Sequence, residues 1–231
     1  GKIFHTTDAQ VSEVKTVSFA PSPTLVVLWN ERDAAGDVVP YYAISFNGAE
    51  FPIIRPTSYE IGLAPLRIDP LAKLIDIPAE LAADASSQLY IVQFVTQPLD
   101  EYRTKLGEIG AKIHHYVPQH AYLVLMSEPA RTQLAALPYV RWIGAYHPAY
   151  KTPITIREQL NAGAALVPPQ RYRIAVHETG PAQKTVVAER ITGMGGTIDT
   201  LTESGFILEA TLTGEQLQAA LRWNEVLFVD L

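Results

Sequence analysis

The chain has 231 residues, 48% hydrophobic and 18% charged, with a formal net charge of −6 and a pI of about 5.5. That content suffices for one large core or two to three small ones, argues against wholesale disorder, and offers no basic face to nucleic acid. The lack of cysteine excludes disulfide scaffolds, thiolate metal sites and cysteine nucleophiles, and no apolar run approaches the ~18 residues that span a membrane.

Residues 1–84 read as a β-rich N-terminal region. Thr24 to Trp29 and Tyr41 to Phe46 are strand-length apolar runs. Asn47-Gly48 is a hairpin signal, and Pro52 ahead of Ile53-Ile54 points to a short or edge strand. Asp69 to Pro78 mixes prolines with aliphatics, as a packed connector does, and Ala79 to Ser87 is small and polar, as at a boundary.

Residues 88–150 carry a β-α-β-β-α-β order. Leu89 to Val95 is a strand. Leu99, Tyr102, Leu106 and Ile109 recur at helical spacing, with Asp100 and Glu101 in the first turn, where the helix dipole favours them, and Gly110 as the stop. Lys112 to Tyr116 and Ala121 to Met126 are the middle strands. Ser127 caps a helix bearing Ala130, Leu134 and Leu137, Pro138 ends it, and Val140 to Ala145 is the last strand. Residues 151–169 form a proline-stiffened linker with a short helix around Ile156 to Leu160.

Residues 170–231 repeat the order. Arg173 to His177 is a strand, and Val187, Ile191 and Met194 mark a helix closed by Gly195-Gly196. Thr197 to Leu201 and Phe206 to Thr211 are strands. Thr213 and Gln216 make a capping box for a helix with Leu217, Ala220 and Leu221, and Val226 to Asp230 closes the unit. The two copies align at an offset of about 84–86 residues. The fold class expected is α+β: two tandem ferredoxin-like (βαββαβ) units preceded by a β-rich N-terminal region.

Two helices cover one sheet face of such a unit and leave the other open. In the first unit both faces are apolar, through Tyr90, Val92 and Phe94 on one side and Ile91 and Val95 on the other. That open face must meet the N-terminal region, the second unit or a partner. In the second unit Arg173, His177 and Glu209 stand among Ile174, Val176, Phe206 and Leu208, a mixture suited to a separable interface.

Catalytic chemistry is not apparent. A subtilisin-type triad needs D-[ST]-G, H-G-T and G-T-S-M segments, and Asp199-Thr200-Leu201, His177-Glu178-Thr179 and Gly196-Thr197-Ile198 do not supply them. Gly193 to Gly196 follows a helix rather than opening one, so it does not cradle phosphate. His114, His115 and His120 cluster on one hairpin; strand neighbours face opposite ways, so His114 and His115 do not readily share a metal. They are either hairpin histidines without a special role or a pH sensor that loosens the domain when protonated. No cofactor or metal is expected.

The segments Leu89 to Phe94, Tyr116 to Val124 and above all Val140-Arg141-Trp142-Ile143-Gly144-Ala145-Tyr146-His147-Pro148-Ala149-Tyr150-Lys151 resemble the N-terminal prosegments of secreted bacterial subtilisin-like serine proteases. Tyr41 to Ser45, Asn47-Gly48 and Thr57 through Leu71 resemble the region ahead of those units. The resemblance implies an extracytoplasmic, non-catalytic chain acting as intramolecular chaperone and inhibitor, with the cognate protease domain as partner. Its interface candidates are Arg173, His177, Phe206, Leu208, Glu209, Phe228, Asp230 and Leu231. The alternatives are a tandem small-molecule-binding regulatory module and a structural or retention domain. The first would show a glycine-rich loop after the first strand of each unit, where Thr96-Gln97-Pro98 and Glu178-Thr179-Gly180-Pro181 stand.

Overall fold

Val26, Leu28, Tyr42 and Ile44 give two adjacent strands a shared apolar face, and a computed structural model builds the N-terminal sheet on it. The structure describes residues 3–63, 66–72, 76–177 and 181–231. Strands β1 (Gln10–Ser18), β2 (Leu25–Arg32), β3 (Val38–Ser45) and β4 (Ile53–Pro56) lie antiparallel in the order β1-β2-β3-β4. The Asn47 carboxamide oxygen accepts from the amides of Ala49 and Glu50, turning the chain between β3 and β4, and β4 sits at the edge, where Pro52 points. β1 was not expected. Its valines fall three apart, because a bulge between Ser12 and Lys15 breaks the period-2 pattern. A small ribbon of β5 (Ile61–Leu63) and β6 (Leu66–Ile68) follows, then a 3-10 turn at Ala79–Leu81. The connector at Asp69 to Pro78 lies partly outside the described residues.

The first module contains β7 (Leu89–Phe94), α1 (Asp100–Glu108), β8 (Lys112–Val117), β9 (Ala121–Leu125), α2 (Glu128–Ala135) and β10 (Val140–Ala145), with sheet order β10-β7-β9-β8. Gly110, at φ +75°, ends α1 in a left-handed turn in which the Ala111 amide bonds the Leu106 carbonyl. Ser127 caps α2 through the Ala130 amide. A 3-10 turn at Pro148–Tyr150 and α3 (Ile154–Gly163), longer than the helix expected, lead to the second module.

That module contains β11 (Gln170–Val176), α4 (Pro181–Gly193), β12 (Thr197–Thr200), β13 (Ile207–Leu212), α5 (Gly214–Leu221) and β14 (Val226–Asp230), in the order β12-β13-β11-β14. In both sheets the module's first and third strands are central, its second and fourth are edges, and all neighbours are antiparallel. The capping box forms: the Gln216 side chain accepts from the Thr213 amide at 2.9 Å, and Thr213 Oγ1 accepts from the Gln216 amide at 3.2 Å. Gly214 lets α5 start against the preceding linker, since a Cβ there would lie 2.3 Å from the Ala164 carbonyl oxygen. The chain is thus a mixed α+β protein with several antiparallel sheets and, among the described residues, five α-helices.

Two buried clusters organise the packing. Val92, Phe94, Tyr122 and Val124 of the first module join Tyr102 and Leu106 of α1, Leu134 of α2, and Val17, Phe19, Val26, Tyr42 and Ile44 of the N-terminal sheet. Within it Tyr102 stacks between Phe94 and Tyr139, at 4.7 and 4.6 Å. The opposite face, with Leu89, Ile91, Val117 and Leu123, belongs to a second cluster. That cluster also holds Ile61, Leu63, Leu81, Tyr146, Tyr150, Ile156 and the core of the second module. The apolar open face expected in the first module is therefore covered inside the chain, by the N-terminal ribbon, the inter-module segment and the second module. Arg141 fastens the N-terminal region to the first module. Its guanidinium donates to both Asp69 carboxylate oxygens and to Gln93 Oε1, and lies 4.1 Å over the Tyr59 ring.

Candidate functional site: an outer sheet face and a histidine joint

In the second module, alternation along β11 and β13 turns Tyr172, Ile174, Val176, Leu208, Ala210 and Leu212 toward the helices, where Val187, Ile191, Leu217 and Leu221 cover them. The intervening residues form the other face. Strand register arranges it in rows. Ile207, Ala175 and Phe228 lie side by side as a half-buried apolar row. Next to it Thr200, Glu209, Arg173 and Asp230 make a charged row. Thr197, Thr211 and Arg171 form a third. Glu209 pairs with Arg171 and accepts from Thr200 Oγ1 at 3.0 Å, and these bonds, the Arg171 one foremost, lower its pKa. Phe206, just before β13, is 46% exposed, and Leu231, just past β14, is 58% exposed.

The interface candidates thus divide. Arg173, Phe206, Glu209, Phe228, Asp230 and Leu231 are on this face or its border, with surface to offer. Leu208 is not: at 1% exposure it points into the helix-covered core. His177 is not available either, being buried against the first module. The mixed face expected from sequence merged two faces. Ile174, Val176 and Leu208 belong to the covered side, and the outer side is more polar than anticipated.

The second feature is the joint between modules. A bulge at His114, between the pairs Ile113–Val124 and His115–Leu123, brings His114 and His115 together toward the second module. The expectation that strand neighbours would diverge fails for this reason. His177 lies across from them, its ring centroid 4.3 Å from that of His114 and 5.6 Å from that of His115. His115 Nε2 is buried without a hydrogen-bond partner, and the buried His177 ring makes no well-formed hydrogen bond, only a weak contact with the Val226 backbone. Burial, then the neighbouring His114, Lys151 and His115 charges, press the His177 pKa down to about 2. Burial, with Lys112 and His115, holds His114 at about 4, and burial lowers His115. A cavity of about 280 Å³ opens beside them, lined by Gln88, Lys112, His114, His177, Gln183 and Glu225 among others.

His120 leaves the expected cluster. It is buried beside Tyr42 and Tyr59, with Nε2 3.0 Å from Thr57 Oγ1, and burial lowers it to about 4. Lys151 borders the joint: it is buried, donates to the Trp223 carbonyl at 2.7 Å, and burial brings its pKa down to about 7. Its backbone carbonyl accepts from Val229 at 2.7 Å, closing the outer edge of β14 against the inter-module segment. Sequence reading missed His177 and Lys151 as members of this joint, since nothing local signals a contact across more than sixty residues.

Among the described residues no three histidine or carboxylate side chains are disposed to hold a metal ion, and no helix is long and apolar enough to cross a membrane. The loop Glu178 to Gly180, weighed above as a ligand loop, lies outside the described residues.

Fold and surfaces define a mixed α+β chain in which the first module's sheet face is covered within the chain and the second module's outer face is partly exposed. Residues 62–147 match a family model described as "Domain of unknown function (DUF8729)", a span from β5 through the first module. No curated protein and no solved structure matches the chain.

Proposed function

We propose that the chain is the prosegment of a secreted subtilisin-like serine protease, acting as intramolecular chaperone and inhibitor without catalysing a reaction itself. In this reading the two modules are tandem ferredoxin-like units, a description their shared element order and strand order support. The first is a structural anchor, its open sheet face already occupied from within. The second docks its outer face on the protease domain. The observation that carries the reading is that face: an apolar row of Ile207, Ala175 and Phe228, which meets the first module at Phe228, beside a charged row of Glu209, Arg173 and Asp230 that is partly open to solvent. An apolar row next to charged residues is a makeup that suits a separable interface.

A protease rich in long-range contacts folds slowly, and a preformed sheet that binds its late-forming elements lowers that barrier and stabilises the native state by mass action. The test uses the protease domain of the same precursor. Added at micromolar concentration, the chain slows peptide hydrolysis and raises the yield of active enzyme on refolding. Phe228→Ala with Arg173→Glu weakens both effects tenfold or more. Unchanged hydrolysis and yield would reject the proposal.

A second reading, a small-molecule regulatory module, draws on the cavity at the joint. It predicts saturable ligand binding that His177→Ala abolishes and Phe228→Ala leaves intact.

A further inference from the structure

The histidine joint is an unusual way to close an interface. Buried polar groups are nearly always paired, yet three imidazoles meet here and two of them, His115 and His177, bury ring nitrogens that make no well-formed hydrogen bond. Neutral rings can stack at 4.3 Å; charged ones repel, and each proton added must be held in a desolvated space. We propose that His114, His115 and His177 form an acid-labile joint, closed while the rings are neutral and opened between the modules when they take up protons. The inference does not depend on the prosegment reading.

The surroundings favour opening over compensation. Among the described residues, β8 contributes Lys112 beside His114, and the end of the inter-module segment contributes the Lys151 ammonium. The segment leading into β14 contributes the Glu225 carboxylate, the one acid among the described residues that line the cavity, and Arg190 of α4 already engages it at 3.0 Å. The other polar lining groups, Gln88, Gln183 and Asn224, carry no charge, and Asn224 is bonded to the backbone of Ser86 and Gln88. Lys112 lowers His114 and Lys151 lowers His177, so these two cations disfavour protons in the joint.

The direction follows by linkage. All three histidines are depressed when the joint is closed, so the open form binds more protons below the ordinary value of 6.5. Closure is complete above that pH and is lost progressively as the pH falls from 6.5 through 4. Lys151 adds no opposing pH dependence there, because it is charged in both forms well below 7.

The chain has no cysteine, so Thr104→Cys on α1 and Thr185→Cys on α4 accept a fluorophore pair without competition. Energy transfer in the full-length protein falls between pH 6.5 and 4 while far-ultraviolet circular dichroism holds. His114→Gln with His177→Gln keeps transfer high down to pH 4, and His114→Gln alone moves the midpoint at least half a pH unit lower. A His120→Gln control opens like the parent. Transfer that stays flat to pH 4, falls together with the dichroism, or falls identically in the joint variants would overturn the proposal. If the double variant does not fold, ring-proton NMR of the parent decides. A His177 that stays neutral at pH 5.5 while closed supports the joint, and one titrating at 6.5 or above refutes it.

Discussion

Replacing Lys151 with methionine should make the protein more stable, although it deletes a hydrogen bond. Lys151 is 2% exposed, and its ammonium donates to the Trp223 carbonyl at 2.7 Å; the Tyr146 ring is 5.9 Å away. Burial brings the amine down from the ordinary 10.5 to about 7. At ~1.4 kcal/mol per tenfold, this difference sets a ceiling of about 5 kcal/mol on the cost of carrying the charge. Methionine has similar length and no charge, but leaves the Trp223 carbonyl unpaired, which costs about 1–3 kcal/mol. The expected net gain at pH 7 is about 2 kcal/mol, or a rise in Tm of about 4–8 °C for a chain of this size. The pH signature is sharper. A lysine whose folded pKa is depressed contributes stability present above 10.5 and lost as the pH falls to 7. Urea melts at pH 7 and pH 10 should therefore show the advantage of Lys151→Met shrinking as the pH rises. An advantage independent of pH, or a variant weaker than the parent at pH 7, would refute the buried-amine account.

Other substitutions probe the remaining contacts. Arg141→Met strands a carboxylate, Asp69, that is 23% exposed, and should cost about 2–4 kcal/mol in chemical denaturation; equal loss for Asp69→Asn and for the double variant would show that the pair acts as a unit. Leu208→Ala should cost about 2–5 kcal/mol, whereas Phe228→Ala, on the outer face, should cost under ~1.5 kcal/mol; similar losses would mean the two faces are misassigned. Gly214→Ala drives a methyl against the Ala164 carbonyl and the Val167 side chain and should lower Tm by more than ~5 °C, unless the linker yields.

Local chemistry made much of the chain readable. The caps at Ser127 and Thr213, the stop at Gly110 and the turn at Asn47-Gly48 lie where short-range hydrogen bonding and backbone freedom put them. Bulges defeated the pattern elsewhere. The one in β1 hides a nine-residue strand behind valines spaced by three, and the one at His114 turns two neighbours the same way. Face assignment in the second module failed because β11 begins at Gln170 and not at Arg173; the whole strand shows Arg171, Arg173 and Ala175 alternating with Tyr172, Ile174 and Val176. The joint itself was out of reach, because His177 meets His114 only through the packing of one module on the other.

Hydroxyl-radical footprinting of the chain bound to the protease domain of the proposed precursor bears most directly on the proposed docking face. The account predicts that Phe206, Phe228 and Leu231 lose reactivity in the complex while Val11 and Val14, exposed on β1, keep theirs. Protection of β1 with an unchanged second-module face would contradict it.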